Sequence, residues 1–158
     1  MSTTENAPEK TAENTAENTV GNAPVKTSVK LIRNSRLTPA VDYAYAALVE
    51  APVRTLWLAG ACPLDEEGRT VAVGDFEAQA HQVMRNLITA LEDAGAGLTD
   101  IARTTVYVAS SDQADLVAVW NVYRAYMGEH DAPSTLLGVA VLGYHDQLVE
   151  VEAVAVLG

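Results

Sequence analysis

The chain has 158 residues, 49% of them hydrophobic and 20% charged, with 10 Lys+Arg against 21 Asp+Glu and a formal net charge of −11. That length fits one domain with or without a tail, and a body of this size buries roughly two-thirds of its unfolded surface, so neither a disulfide nor a metal is needed to fold it. So acidic a surface repels phosphate backbones and anionic bilayers, which sets aside nucleic acid and membranes as partners. The single cysteine, Cys62, fits a reducing cytoplasm. No apolar run approaches the ~20 residues of a membrane span, and the start lacks the basic-then-apolar layout of a signal peptide. A soluble cytoplasmic domain is expected.

Residues 1–27 repeat TAEN at Thr11–Asn14 and Thr15–Asn18 and, apart from Met1, hold Val20 and Val25 as their only larger aliphatics. Such a composition cannot offset ordering entropy by burial, so a disordered acidic and polar tail is expected ahead of a domain over 28–158. Val29 to Ile32 reads as a short strand closed by Asn34-Ser35-Arg36 and Pro39. Tyr43–Val49 and Val53–Leu58 are β-prone runs flanking Ala51-Pro52, the pattern of a hairpin. Cys62-Pro63 and the cluster Asp65–Gly68 mark a turn. A helix capped near Asp75 carries Phe76, Ala80, Val83, Met84, Leu87, Ile88 and Leu91 on one face and stops at Gly95 and Gly97. Ile101–Val108 is a β-branched strand, and a second helix from about Asp112 to Gly128 bears Leu116, Val119, Trp120, Tyr123 and Met127. Ser134–Leu142 and Gln147–Val156 complete the order β-β-β-α-β-α-β-β. The class is α+β: a mixed sheet with two helices on one face. Its other face stays apolar and bare in a monomer, which calls for oligomerisation.

Several chemistries lack their parts. There is no CxxC, HExxH or His/Cys cluster for a metal, no phosphate-binding GxxxxGK[ST], and no GxSxG elbow. Gly95-Ala96-Gly97 is a helix stop, without the preceding strand a dinucleotide loop requires. What remains is a carboxylate pair on the last strand. Alternation in Leu148–Val154 points Glu150 and Glu152 to one face and Val149, Val151 and Ala153 to the other. Burial beside a like charge would raise the pKa of at least one, poising it as general acid or base. An exposed polar face, or pairing with Arg54, Arg103 or Arg124, is the structural alternative.

Four segments together carry a resemblance. Leu58-Ala59-Gly60-Ala61-Cys62-Pro63-Leu64 is similar to an "SGQ-x-P-L" turn, and Gln79–Ala90 with Asn86-Leu87 to a "Q…NL…L" helix. Thr104–Val108 is similar to a "TTV-hydrophobic" strand, and Leu148–Ala155 to "LVEIEAIA". In this order and spacing they resemble the Rid (YjgF) family. The resemblance implies a chorismate-mutase-like fold, a homotrimer with small-molecule clefts at the subunit interfaces, and cofactor-independent hydrolysis of imines and enamines. It makes Glu150 the acid that positions or activates water and Tyr43 the hydrogen-bonding tyrosine.

The match departs from the family in one direction. The arginine that clamps the substrate carboxylate should precede Ser134 and Thr135, and Pro133 stands there with no donor to offer. Ala59 replaces the serine of the turn, beside Ala61 and Cys62, and Trp120 replaces an asparagine. The loop before the last strand is about two residues longer, adding Tyr144 and His145 as further cleft residues. The cleft is thus more apolar and has lost its anion anchor, unless Arg54 or Arg103 substitutes. Three functions follow: an imine or enamine hydrolase with Glu150 as base; a tailoring or cyclisation enzyme using the same acid; and a non-catalytic small-molecule-binding trimer. RNA cleavage, an older label of the family, conflicts with the acidic surface. Cys62 is read as a structural thiol, since no cation or helix N-terminus is evident to activate it. Trp57 is read as core or interface.

Overall fold

The computed structural model describes residues 29–33, 43–49 and 53–158; the tail over 1–27, the stop at 34–39 and Ala51-Pro52 lie outside them. Strands β1 (Val29–Ile32) and β2 (Ala46–Val49) form an antiparallel pair, with Val29 opposite Val49. A separate mixed sheet has the order β3-β6-β4-β5, built from β3 (Arg54–Trp57), β4 (Ile101–Val108), β5 (Ser134–Gly138) and β6 (Val149–Leu157). β6 runs antiparallel to both β3 and β4, and β4 runs parallel to β5.

The expected β2–β3 hairpin is corrected here, and with it the single continuous sheet. β3 instead joins the long final strand, Arg54 opposite Leu157 and Trp57 opposite Val154. β6 spans nine residues and offers both edges, so it captures β3 from across the chain. β5 also ends earlier than expected, at Gly138. There the backbone presses on Ser110, since a Cβ at 138 would stand 2.6 Å from its carbonyl oxygen.

The helices begin and end as the local chemistry dictates. Asp75 caps α1 (Phe76–Asp93) by accepting from the Ala78 N–H at 2.9 Å, and Asp112 caps α2 (Gln113–Met127) by accepting from Ala114 at 2.9 Å. Gly95 (φ 74°) follows α1, and Gly128 (φ 56°) closes α2. Ala80, Val83, Met84, Leu87 and Leu91 from α1 pack with Val119, Tyr123 and Met127 from α2. Their common floor is Val106 and Val108 of β4 with Val149, Val151, Ala153 and Ala155 of β6. Each large side chain buried there contributes about 1.5–3 kcal/mol, which is what holds both helices to one face. No described helix is long and apolar enough to cross a membrane.

The opposite face carries Trp57, Tyr107, Leu137 and Glu152. Trp57 is 77% exposed and Leu137 42%. Within one chain Trp57 is therefore not a core residue, because its strand position turns it away from the helices. Tyr107 donates its hydroxyl to Glu152 Oε2 at 2.9 Å, and that acceptor holds the phenol above its ordinary pKa.

Candidate active site

The last strand, interior to its sheet, carries Glu150 near its start with Val149 and Val151 buried on the other side, as the alternation requires. Its carboxylate lies directly over Gly60. A Cβ at position 60 would overlap Oε1 and come within 2.6 Å of Cδ, so only glycine leaves room for the acid. The 58–61 segment is laid against β6 by backbone bonds: Leu58 N–H to Ala153 O (3.1 Å), Ala61 N–H to Val151 O (2.8 Å), and Val151 N–H back to Ala61 O (3.1 Å). Two side chains then converge on Oε2. Gln147 donates its amide at 2.9 Å, and the Cys62 thiol approaches at 3.6 Å. Burial and the neighbouring Glu150 charge push the Cys62 thiol up to about 11, so it stays protonated at neutral pH. The thiol is a donor here, not a nucleophile.

Two residues of α1 fix the loops that carry this cluster. Asn86 donates to the carbonyls of Cys62 (2.8 Å) and Leu64 (2.9 Å), which pins the turn after Gly60. Gln79, fully buried, donates to Ala72 O (3.4 Å) and Asp146 O (2.9 Å) and accepts from Leu148 N–H at 2.8 Å. Ala72 (φ 49°) and Asp146 (φ 59°) are the two described non-glycine residues in the left-handed region. One buried amide therefore holds both strained turns, each of which costs of order 1 kcal/mol.

A second hollow, of about 400 Å³, is lined by Tyr43, Trp120, Ser134, Thr135 and Leu136. The Trp120 ring lies 5.0 Å from Tyr123, and beneath it Tyr123, Thr104 and Ser134 hydroxyls meet at 2.7–2.8 Å. Ser134 Oγ also donates to Ala132 O at 2.8 Å, so its proton is already used. Pro133 accepts from Thr104 N–H at 3.1 Å and offers no donor to the hollow. Among the described residues no charged side chain lines it. Arg33 stands at its margin, donating to Tyr43 O at 3.2 Å and ion-paired to Asp131. Arg103 lines a different hollow, with Trp57 and Glu152 on the open face.

The expected residues thus fall into two groups. Glu150 and Cys62, with Ala61 paired to Val151, form one; Tyr43, Trp120, Pro133, Ser134 and Thr135 form the other. They sit on opposite sides of β4, offset along it as well, since Glu150 stands opposite Tyr107 while Ser134 and Thr135 stand opposite Thr104 and Thr105. Ala59 is on the rim of an apolar hollow of about 330 Å³ together with Gly60 and Asn86. Tyr144 is exposed, and its backbone N–H donates to Gln147 Oε1 at 2.9 Å. His145 turns its ring to Asp146 (2.7 Å), and its carbonyl accepts from Thr70 Oγ1 (2.8 Å). In one chain neither side chain is brought to Glu150. His81 contacts Tyr126 and His130 contacts Ile101 O, so the three histidines do not converge. Gln147 and Arg33 join this neighbourhood without having been singled out in the sequence, where Gly60 and Gln79 figured only inside the family-like turn and helix.

Comparison with known proteins adds the relatives. The family model described as Endoribonuclease L-PSP matches residues 34–157. The chain is 35% identical over 100 residues to a RutC family protein of Pyrococcus abyssi, covering 63% of this chain and 76% of that one. It is 30% identical over 130 residues to the rat 2-iminobutanoate/2-iminopropanoate deaminase, covering 82% and 90%. A solved Rid-family protein of unknown function from Yersinia pestis superposes with a TM-score of 0.75 at 30% identity, covering 83% of this chain and all of that one.

Proposed function

Because the chain belongs to the Rid family, we propose that it hydrolyses a reactive imine or enamine without a cofactor, in clefts shared between copies of a homotrimer, with Glu150 as the base or water-orienting acid. The observation that carries this reading is the carboxylate seated over Gly60 and held by Gln147 and Cys62. An imine carbon is already electrophilic, so the protein's task is to aim a water at it. Glu150 takes a proton from that water while the oxygen bonds to the C=N carbon, and the nitrogen collects a proton. The hydroxyl proton of the resulting carbinolamine then passes by way of the Glu150 carboxylate to the amino nitrogen, and as the C–N bond breaks C=O forms and ammonia departs. A neighbouring copy closes the cleft, bringing the Tyr43–Trp120 hollow of one chain to the Glu150 cluster of another. The Tyr43 hydroxyl then hydrogen-bonds the developing charge.

The substrate differs from that of the deaminases named above. A hollow whose described lining carries no charge, with Pro133 at its edge and Arg33 paired to Asp131, favours a neutral and more apolar imine over a carboxylate-bearing one. The test measures ammonia released from enzymatically generated 2-aminoacrylate and from an aryl ketimine lacking a carboxylate. The aryl ketimine is expected to turn over faster, with a loss of about 10²–10⁴-fold in Glu150→Gln. Full rate in that variant, or a clear preference for the acid, overturns the reading. The missing arginine also favours a second reading, a binding trimer without turnover, which saturable ligand binding with no ammonia release would establish. A proton-shuttling cyclisation at the same acid is the third, read by product analysis.

A further inference from the structure

We infer that Gln147 and Cys62 make Glu150 a one-oxygen acid: both side chains donate to Oε2, which leaves Oε1 as the atom that meets the ligand. The inference rests on Glu150 being the working residue and specifies which of its atoms works. Gln147 lies in the loop before β6 and is 4% exposed. Its amide cannot be read the other way round. Oε1 of Gln147 accepts from the Tyr144 N–H at 2.9 Å, an N–H that only a carbonyl oxygen can satisfy, so Nε2 must face Val149 O (3.2 Å) and Glu150 Oε2 (2.9 Å). Cys62 reaches the same oxygen from the loop after β3, at 3.6 Å, and also approaches Gly60 O at 3.5 Å. Among the described residues no donor reaches Glu150 Oε1, which projects over the bare Cα of Gly60. An unpaired carboxylate oxygen beside one held by the Gln147 amide and approached by the Cys62 thiol is a base with a fixed direction: the proton it takes arrives at Oε1, on the side that Gly60 leaves uncovered.

The titratable groups facing Glu150 are Cys62, Tyr107 at its paired position on β4, and Glu152 two residues along β6. Cys62 and Tyr107 are uncharged at neutral pH, so the amide and thiol donors hold the carboxylate in place beside Glu152, the one acid among those neighbours. Gln147 is thus a positioning residue, and its removal frees the Glu150 carboxylate to turn away from its aim.

The test uses the full chain with glutamate labelled at the δ-carbon, followed by carbon NMR at neutral pH, with Glu150→Gln to assign the resonance. In Gln147→Met, which keeps the volume and removes the donor, the Glu150 resonance should move and broaden as the carboxylate is freed to turn. A resonance that stays put in a folded Gln147→Met protein overturns the inference. This readout needs no turnover, so a moved resonance in a protein without imine hydrolysis sinks the proposed activity and spares the clamp. Turnover that depends on Glu150 with an unmoved resonance does the reverse. Should Gln147→Met fail to fold, the sole cysteine supplies a second readout. Its alkylation midpoint, about 11 in the native chain, should fall in Glu150→Gln, with the rate at fixed lower pH rising roughly tenfold per unit of fall. An unchanged thiol midpoint overturns the inference as well.

Discussion

Gly60→Ala isolates the packing of the candidate base. Gly60 is not among the left-handed glycines, so its backbone accepts alanine, and the smaller unfolded-state entropy alone would stabilise the chain by about 0.4–1 kcal/mol. The added Cβ, however, lands on the Glu150 carboxylate, which is the mobile end of a side chain and must swing away. Swinging away forfeits the Gln147 amide bond at 2.9 Å, a charge-assisted contact worth about 1.5–3 kcal/mol, and leaves the buried amide short of an acceptor. The net expectation is a loss of about 1–2 kcal/mol in urea denaturation, with ammonia release reduced toward the level of Glu150→Gln. In a Glu150→Ala background the obstacle is gone, and the same Gly60→Ala change should become stabilising by about 0.4–1 kcal/mol. Equal effects in the two backgrounds would refute the reasoning, because the coupling between positions 60 and 150 is its whole content.

Gln79→Leu should lower the urea midpoint by the equivalent of about 2–4 kcal/mol at unchanged slope, since it orphans two carbonyls and the Leu148 N–H; a loss under about 1 kcal/mol would show that water replaces the amide. The folded Cys62 pKa lies above the thiol's ordinary 9.0, at about 11, so folding holds on to a proton that the unfolded chain releases first. Stability should accordingly fall as pH rises from about 9 to about 11, and this slope should be shallower in Cys62→Ala; parallel curves would argue against it. Trp57→Lys places a charge on the face opposite the helices, where the native ring is 77% exposed. Sedimentation should show three-chain particles for the native protein and single chains for the variant, and an unaltered mass would place the contact elsewhere.

Much of the frame is readable one segment at a time because its causes are local. The 3.6 spacing of Ala80, Val83, Met84, Leu87 and Leu91, the caps Asp75 and Asp112, and the stops at Gly95 and Gly128 each depend on residues within one or two turns. β4 emerged with its ends at Ile101 and Val108 for the same reason. Strand partnership is not local. Nothing near Tyr43–Val49 announces that β2 pairs with β1, or that β3 pairs with a strand about a hundred residues later. At the site, alternation revealed which way Glu150 points, but not the glycine beneath it. Gln147 looks like any polar residue in a loop, and its role exists only through its neighbours' geometry. Gln79 did leave a signal: it falls three residues after Phe76 and four before Val83, inside the buried stripe, where a polar side chain must find partners. Tyr43 and Glu150 share a family motif set, yet β4 stands between β6, which carries Glu150, and β5, which lines the Tyr43 hollow.

The double hold of Gln79 on Ala72 and Asp146 makes two remote turns answer to one latch. Neither turn can relax alone, because freeing one carbonyl loosens the amide that restrains the other. The stretch from Gly143 to Gln147 therefore takes stiffness from a helix in addition to its own Tyr144–Gln147 bonds. Engineering that seeks to widen the mouth should lengthen the tip around Tyr144 and leave the hinge points at 72 and 146 untouched. Residues grafted there would ride on a rigid mount.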